Sequence, residues 1–212
     1  LGAEEAAGVI NAALPQMRRA AVTADNGGSR TSQGRSNDLT WLPHDHTAVS
    51  ACPAPLLCTA QRRSAAAQCG AWAYRGRPQV KGFVERVAEL VGIPASHAEQ
   101  VQVVHYTKDQ QYRKHWDAYD RATERGQKMM RQAGNRVLTA LVYLQAPEEG
   151  GQTEMVNLGL RIEPVVGRLL IFHNCHVGSE TRHTDSNHAA LPVLRGEKWA
   201  MNLWFREQPM RG

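Results

Sequence analysis

Residues Arg136 to Leu144 read Arg-Val-Leu-Thr-Ala-Leu-Val-Tyr-Leu, a near-continuous run of Val, Leu and Thr. Such a run fits a strand buried on both faces, because a strand with one wet face alternates apolar and polar residues instead. Lys198 to Phe205, Lys-Trp-Ala-Met-Asn-Leu-Trp-Phe, is a second strand by its alternation. Val101 to Tyr106 predicts a third. Thr153 to Val156, Leu160 to Glu163 and Arg168 to Phe172 predict short ones, with turns at Pro147 to Gly151 and between Pro164 and Gly167. Helical patterns precede them. Ala6, Val9, Ile10, Ala13, Leu14 and Met17 form an apolar stripe within Glu4 to Arg19, which Pro15 should kink or end near Leu14. Val80, Phe83, Val84, Val87, Leu90 and Val91 form another, ended by Gly92 and Pro94. Many short strands with turn signals, preceded by helices, predict a mainly β fold with flanking α-helices: a double-stranded β-helix, or jelly roll.

A chain of 212 residues with 42% hydrophobic content can fill one core, and a single domain over 1–212 is expected. Cys52 to Gln79 breaks the pattern. It is rich in Ala, Arg, Cys and Pro without a sustained period, and a flexible insertion over 51–79 is expected, with a substrate-gating lid or a segment absent from a mature transcript as alternatives. Ala118 to Gly134 reads as charged and mobile, with Met129 and Met130 as packing points, and His173 to Asn187 as a polar loop. The net charge of +5 is scattered in pairs such as Arg18-Arg19 and Arg62-Arg63. That favours solvated surface over a nucleic-acid stripe. Four cysteines, Cys52, Cys58, Cys69 and Cys175, are too few for a disulfide scaffold and form no Cys-x-x-Cys pair. No apolar run reaches the length of a membrane span. The chain begins at Leu1, which leaves room for an upstream signal or anchor, and a monomer is expected.

Chemistry concentrates in His105 to Asp117. In an extended strand residues two apart share a face, so His115 and Asp117 can offer an imidazole nitrogen and a carboxylate oxygen to one ion. A third ligand from another strand would complete the two-His, one-carboxylate triad that suits non-haem Fe(II) and leaves positions open. His188 is the candidate, because Lys198 follows it by ten residues on a strand. That lysine is either a solvated edge residue or an inward cation needing an anionic partner, for which a dicarboxylate would serve. His173, His176 and His183 compete for the distal position, and His44-Asp45-His46 is a rival, cupin-like metal motif within a Pro/Asp loop.

These residues stand in a wider pattern: Arg30-Thr31-Ser32, Gln102 to Tyr106, Tyr112 to Asp117, Tyr143-Leu144, Gly150 to Thr153, Pro164 with Gly167, and His188 to Trp199. In that order the chain resembles the Fe(II)- and 2-oxoglutarate-dependent dioxygenases of the prolyl 4-hydroxylase type. The resemblance implies a metal held by His115, Asp117 and His188, with 2-oxoglutarate paired to Lys198 through its distal carboxylate. Tyr106, Tyr143 and Thr153 would approach that cosubstrate. Tyr112, Arg136 and Trp204 match positions lining the peptide groove of the algal and plant enzymes, and Arg206 stands where some of them carry a histidine near the reacting proline. The implied reaction consumes dioxygen and 2-oxoglutarate, gives succinate and CO2, and makes 4-hydroxyproline in a peptide, with ascorbate as reductant. A carboxylate at Asp117 argues for hydroxylation over halogenation, since related halogenases have a small residue there. The same chemistry on another side chain or a metabolite, and a catalytically silent binding module, are the alternatives. The resemblance leaves the compartment open: endoplasmic reticulum lumen or membrane-associated in a eukaryote, cytoplasmic in a bacterium.

Overall fold

The last long strand shows how the chain divides its side chains. The computed structural model describes residues 1–19, 22–23, 29–30, 37–42 and 78–210. Along β14 (Lys198–Arg206), Trp199, Met201, Leu203 and Phe205 enter the main hydrophobic core, whereas Lys198, Ala200, Asn202 and Trp204 line a cavity on the opposite side. Both faces are buried, so the strand reads as nearly continuous in apolar residues although it belongs to antiparallel sheets. Its neighbours β5 (Val101–Tyr106) and β7 (Arg136–Gln145) divide the same way: Val101, Val103, Leu138, Ala140 and Val142 point to the core, and Gln102, Val104, Tyr106 and Leu141 to the cavity.

With β1 (Arg18–Arg19), β4 (Asp38–Leu42) and β11 (Leu169–His173), these strands form a six-stranded sheet in the order β1-β4-β5-β14-β7-β11. A four-stranded sheet in the order β10-β9-β12-β6 is built from β6 (Tyr112–His115), β9 (Thr153–Met155), β10 (Leu160–Ile162) and β12 (His188–Ala190). Two short ribbons complete the antiparallel pairings, β2 (Val22–Thr23) with β3 (Ser29–Arg30) and β8 (Glu149–Gly150) with β13 (Val193–Arg195). Antiparallel sheets with few helices make the double-stranded β-helix predicted above.

Helix α1 (Ala3–Ala13) and helix α2 (Pro78–Val91) cover the outer face of the large sheet through Ala6, Val9, Ala13, Val80, Phe83, Val84 and Val87. The predicted helix to Arg19 stops earlier. A 3-10 turn at Leu14–Gln16 contains Pro15, which has no N–H to continue the α-helical ladder, and Arg18 and Arg19 then pair with Leu39 and Asp38 as β1. Pro78 is the first described residue of α2, where its missing N–H is harmless, so the helix takes in the last two residues of the insertion expected over 51–79. The remainder of that insertion, with Cys52, Cys58 and Cys69, lies outside the described residues, as do Thr31, Ser32 and His44 to His46.

The segment from Ala118 to Gly134 holds a short helix, α3 (Glu124–Met130), started by Thr123, whose hydroxyl accepts from the Gly126 N–H at 3.0 Å. Met130 is buried, but Met129 is 41% exposed and borders the cavity. Neighbouring residues on a helix face different ways, so the two methionines cannot both be packing points.

Candidate functional site

The inner face of the small sheet carries the predicted cluster. His188, first residue of β12, sits directly opposite His115 at the end of β6. Asp117 lies two residues further, beyond the strand, where the chain bends back towards both rings. One ligand atom from each of the three lies within 4.8 Å of the others. His115 Nε2 is 3.6 Å from Asp117 Oδ1, and His188 Nε2 is 3.7 Å from Asp117 Oδ2. These gaps exceed hydrogen-bond length, and three donors so spaced can close on one cation.

The surroundings prepare each ligand. His115 Nδ1 is 2.8 Å from the Arg113 carbonyl and His188 Nδ1 is 2.9 Å from the Ser186 carbonyl. A carbonyl only accepts, so each Nδ1 carries the proton and each Nε2 keeps its lone pair for the site. Burial lowers the His188 pKa against the opposing pull of Asp117, which favours the neutral, ligating form. Burial alone would raise the Asp117 carboxyl; the facing His188 and His115 overturn this and hold it well below the usual carboxylate range. Thr139 of β7 donates from Oγ1 to Asp117 Oδ2 at 2.7 Å and accepts from Asn174 Nδ2 at 2.7 Å. Tyr112 stacks on His115 with centroids 3.7 Å apart, and Phe172 meets His188 edge-on. Among the described residues this is the one group of three or more metal-ligating side chains. His173, His176 and His183 lie outside it, with the rings of His176 and His183 tilted against each other, centroids 4.5 Å apart.

Lys198 projects into the same cavity. It is 1% exposed, its Nζ donates to the Gly151 carbonyl at 2.6 Å, and the rings of Tyr106 and Tyr143 lie 5.3 and 5.4 Å away. Among the described residues no carboxylate pairs with it, and burial pulls its pKa down to about 7. Gly151 has φ +72°, and a Cβ there would press on Pro147, Lys198 and Val193. A glycine thus lets the backbone approach the ammonium. A buried cation with one hydrogen bond and spare N–H donors fits an anionic ligand group. Tyr143 donates to Thr153 Oγ1 at 2.7 Å, and burial raises its hydroxyl to about 12 so that it stays a donor. Thr153 borders the cavity, whereas Tyr143 is fully buried behind it.

The cavity has a volume of about 480 Å³ and takes in the triad, Lys198, Tyr106, Tyr112, Arg136 and Trp204. Arg136 is there because of a β-bulge. Phe205 pairs with Leu138 but Arg206 pairs with Arg136, so Val137 is skipped and Arg136 turns inward. Glu99 holds its guanidinium by two 2.7 Å hydrogen bonds, from Nε and Nη2, and its carbon lies 3.8 Å from the Trp204 ring centroid. Arg206 is absent from the cavity lining. It is 4% exposed and bonds Glu99 from Nη1 at 2.9 Å, and the carbonyls of Met129 and Gly134 from Nη2 at 2.6 Å each. Sequence reading missed Glu99, Thr139 and Asn174. An arginine opening a buried strand signals that some acid must meet it, but nothing in the chain order singles out Glu99.

A family model described as the 2OG-Fe(II) oxygenase superfamily matches residues 101–206. The chain is 35% identical over 137 residues to a protein named "Putative prolyl 4-hydroxylase" from Acanthamoeba polyphaga mimivirus, a match covering 65% of this chain and 57% of that protein. It is 32% identical over 158 residues to "Probable prolyl 4-hydroxylase 3" of Arabidopsis thaliana, covering 64% and 52% respectively. The chain thus spans about half the length of these relatives. Among solved structures, the 2OG complex of viral collagen prolyl hydroxylase from Paramecium Bursaria Chlorella virus-1 superposes with TM-score 0.64 at 24% identity, covering 97% of this chain and 91% of that one. At that identity the likeness is one of fold.

Proposed function

Because the chain belongs to the 2OG-Fe(II) oxygenase superfamily, whose model covers residues 101–206 and with them all three clustered ligands, we propose that it hydroxylates peptidyl proline at C4. The observation that carries the reading is the pairing of the His115/Asp117/His188 cluster with the buried, anion-free Lys198 in one cavity. The donor set fits Fe(II): two neutral imidazoles and one ionised carboxylate, each oriented by a second hydrogen bond. When bound there, Fe(II) supplies the activation of dioxygen that turns 2-oxoglutarate, O2 and a C–H bond into succinate, CO2 and C–OH.

The chain's own residues do the rest. His115, Asp117 and His188 would hold the ion, each offering one ligand atom to it. Lys198 takes the distal carboxylate of 2-oxoglutarate in a charge-assisted bond, aided by the hydroxyl of Thr153, which Tyr143 orients. Arg136, Tyr112 and Trp204 form the wall for the peptide. Among the described residues Arg136 Nη1 makes no hydrogen bond, which leaves it a donor for a peptide carbonyl, and the buried Trp204 N–H has no acceptor. Arg206 serves from behind that wall, through Glu99. The relatives named as prolyl 4-hydroxylases support proline as the reacting residue.

The test is mass spectrometry of a proline-rich peptide incubated in air with the protein, Fe(II), ascorbate and 2-oxoglutarate, with succinate followed in parallel. One oxygen gained on proline per succinate is expected. Succinate without peptide oxidation would remove proline as substrate and keep the dioxygenase; neither product would favour a silent module.

A further inference from the structure

A second cavity of about 480 Å³ adjoins the first and shares with it Tyr112, His115, Asp117, Tyr119, Arg125 and Arg136. The metal-ligand cluster therefore stands where the two meet. Five cations line the second cavity, Arg113, Lys114, Arg125, Arg136 and Arg182, against two anions, Asp117 and Asp120. Most of these are already matched. Arg182 bonds Asp120 at 3.4 Å, Arg136 is held by Glu99, and Asp117 faces the two histidines. Arg113, Lys114 and Arg125 remain without an acidic partner among the described residues. The placement of two of them is a product of the backbone. Between His188 and Ala190 of β12, strand β6 runs from His115 to Tyr112, one residue longer, and this bulge displays Arg113 and Lys114 on the open edge of the small sheet. Cations on an open edge discourage strand pairing; here they also border the reaction centre. The same cavity presents the aromatic rings of Tyr112, Trp116 and Tyr119, with Trp116 41% exposed.

A surplus of unmatched cations beside aromatic rings selects an occupant that is anionic and has apolar rings of its own. Building on the peptidyl-proline reading, we infer that the second cavity seats an acidic stretch of the peptide substrate, so that prolines flanked by Asp or Glu are preferred, with Arg113, Lys114 and Arg125 as the specificity-determining residues. Charge complementarity of this kind acts on both encounter rate and discrimination against cationic partners, and salt screens it.

The experiment is fluorescence anisotropy with three dye-labelled peptides of equal length whose central proline is flanked by Glu, Gln or Lys, run on the full chain with the products checked by mass. The Glu peptide should bind roughly tenfold more tightly than the Gln peptide, lose that advantage in high salt, and exceed the Lys peptide by more. The combined Arg113→Glu, Lys114→Glu and Arg125→Glu variant should invert the order and gain affinity for the Lys peptide, which a misfolded protein would not do. Equal binding of the Glu and Gln peptides would overturn the inference, even where both are hydroxylated and proline hydroxylation stands. Tighter binding of a single-stranded oligonucleotide than of the Glu peptide would overturn it as well. Binding in the expected charge order with no oxygen gained on any proline would support the acidic-peptide site and overturn the proline reaction instead.

Discussion

At the scale of residues, the site depends on groups that never reach a substrate. Thr139 is one. Its hydroxyl spans Asp117 and Asn174, fixing the carboxylate plane that the metal ion would use. Thr139→Val keeps the shape and removes the donor, and metal affinity read by titration of the apoprotein should fall about 10- to 100-fold; unchanged affinity would mean that Asp117 is oriented by the fold alone. Lys198 gives a prediction in pH. Burial brings its pKa from 10.5 to about 7, so above neutrality the free protein increasingly holds a neutral amine. A dicarboxylate needs the charged form and raises the pKa again, so binding takes up a proton. Affinity for 2-oxoglutarate should be level below pH 7 in this group's contribution and weaken by up to about tenfold per unit above it. Calorimetry at pH 8.5 in two buffers of different ionisation enthalpy should show uptake approaching one proton per ligand, and none would move the carboxylate partner elsewhere. The unfolded chain binds the extra proton between about pH 7 and 10.5, so the destabilisation caused by burying this ammonium is complete below pH 7 and is relieved as pH rises through that window.

At the scale of elements, turns and bulges aim the side chains that strands carry. Asn135 is fully buried and ties the stretch after the metal ligands to β7: it accepts from the Tyr119 and Arg136 N–H groups and donates to the carbonyls of Tyr119 and Glu180. Helix α3 closes over that stretch at Gly126, where a Cβ would lie 1.7 Å from the Asp120 carbonyl oxygen. Gly126→Ala must therefore push α3 away from the Asp120 turn. It should cost about 1–3 kcal/mol in a denaturant melt and raise hydrogen exchange selectively over 119–130. A melt unchanged from wild type would show that the turn yields freely. The surprise of this region is that a stretch reading as charged and mobile contains a capped helix. Its seven residues, with a glycine inside, are too few to display a hydrophobic period.

At the scale of the whole molecule, one buried charge cluster fastens distant parts of the chain. Glu99, just before β5, bonds Arg136 at the start of β7 and Arg206 at the end of β14, and Arg206 also holds the carbonyls of Met129 and Gly134. Burial by itself would raise the Glu99 carboxyl, and the two guanidinium groups pull it lower, so it stays ionised in the fold. Removing the one anion leaves two buried cations facing each other. Glu99→Gln should lower the unfolding free energy by about 3–5 kcal/mol and weaken peptide binding through the released Arg136, while leaving metal affinity near wild type. A stable variant would show that Arg206 and the backbone carbonyls suffice. Along the sequence the basic residues are dispersed and look like ordinary solvated surface; the fold gathers Arg113, Lys114 and Arg125 around one opening.

The sequence by itself determined the period and therefore the layers. The near-continuous apolar run at 136–144 implied a strand with two dry faces, the alternation at 198–205 a second strand, and the stripes near 6–13 and 80–91 helices; Lys198 read as either a solvated edge residue or an inward cation, and the burial of both faces of its strand decided for the second. His115 and Asp117 were legible for the same reason, since two-residue spacing near a strand end brings both to one point. What pairs across the chain was decided only in three dimensions. The approach of His188 to His115, the support of Asp117 by Thr139 and Asn174, the bulges that turn Arg136 inward and Arg113 and Lys114 to the edge, and the choice of Glu99 among 20 acidic residues all depend on strand register. Local spacing fixes which face a side chain takes; register, set by the packing of the whole sheet, fixes what it faces.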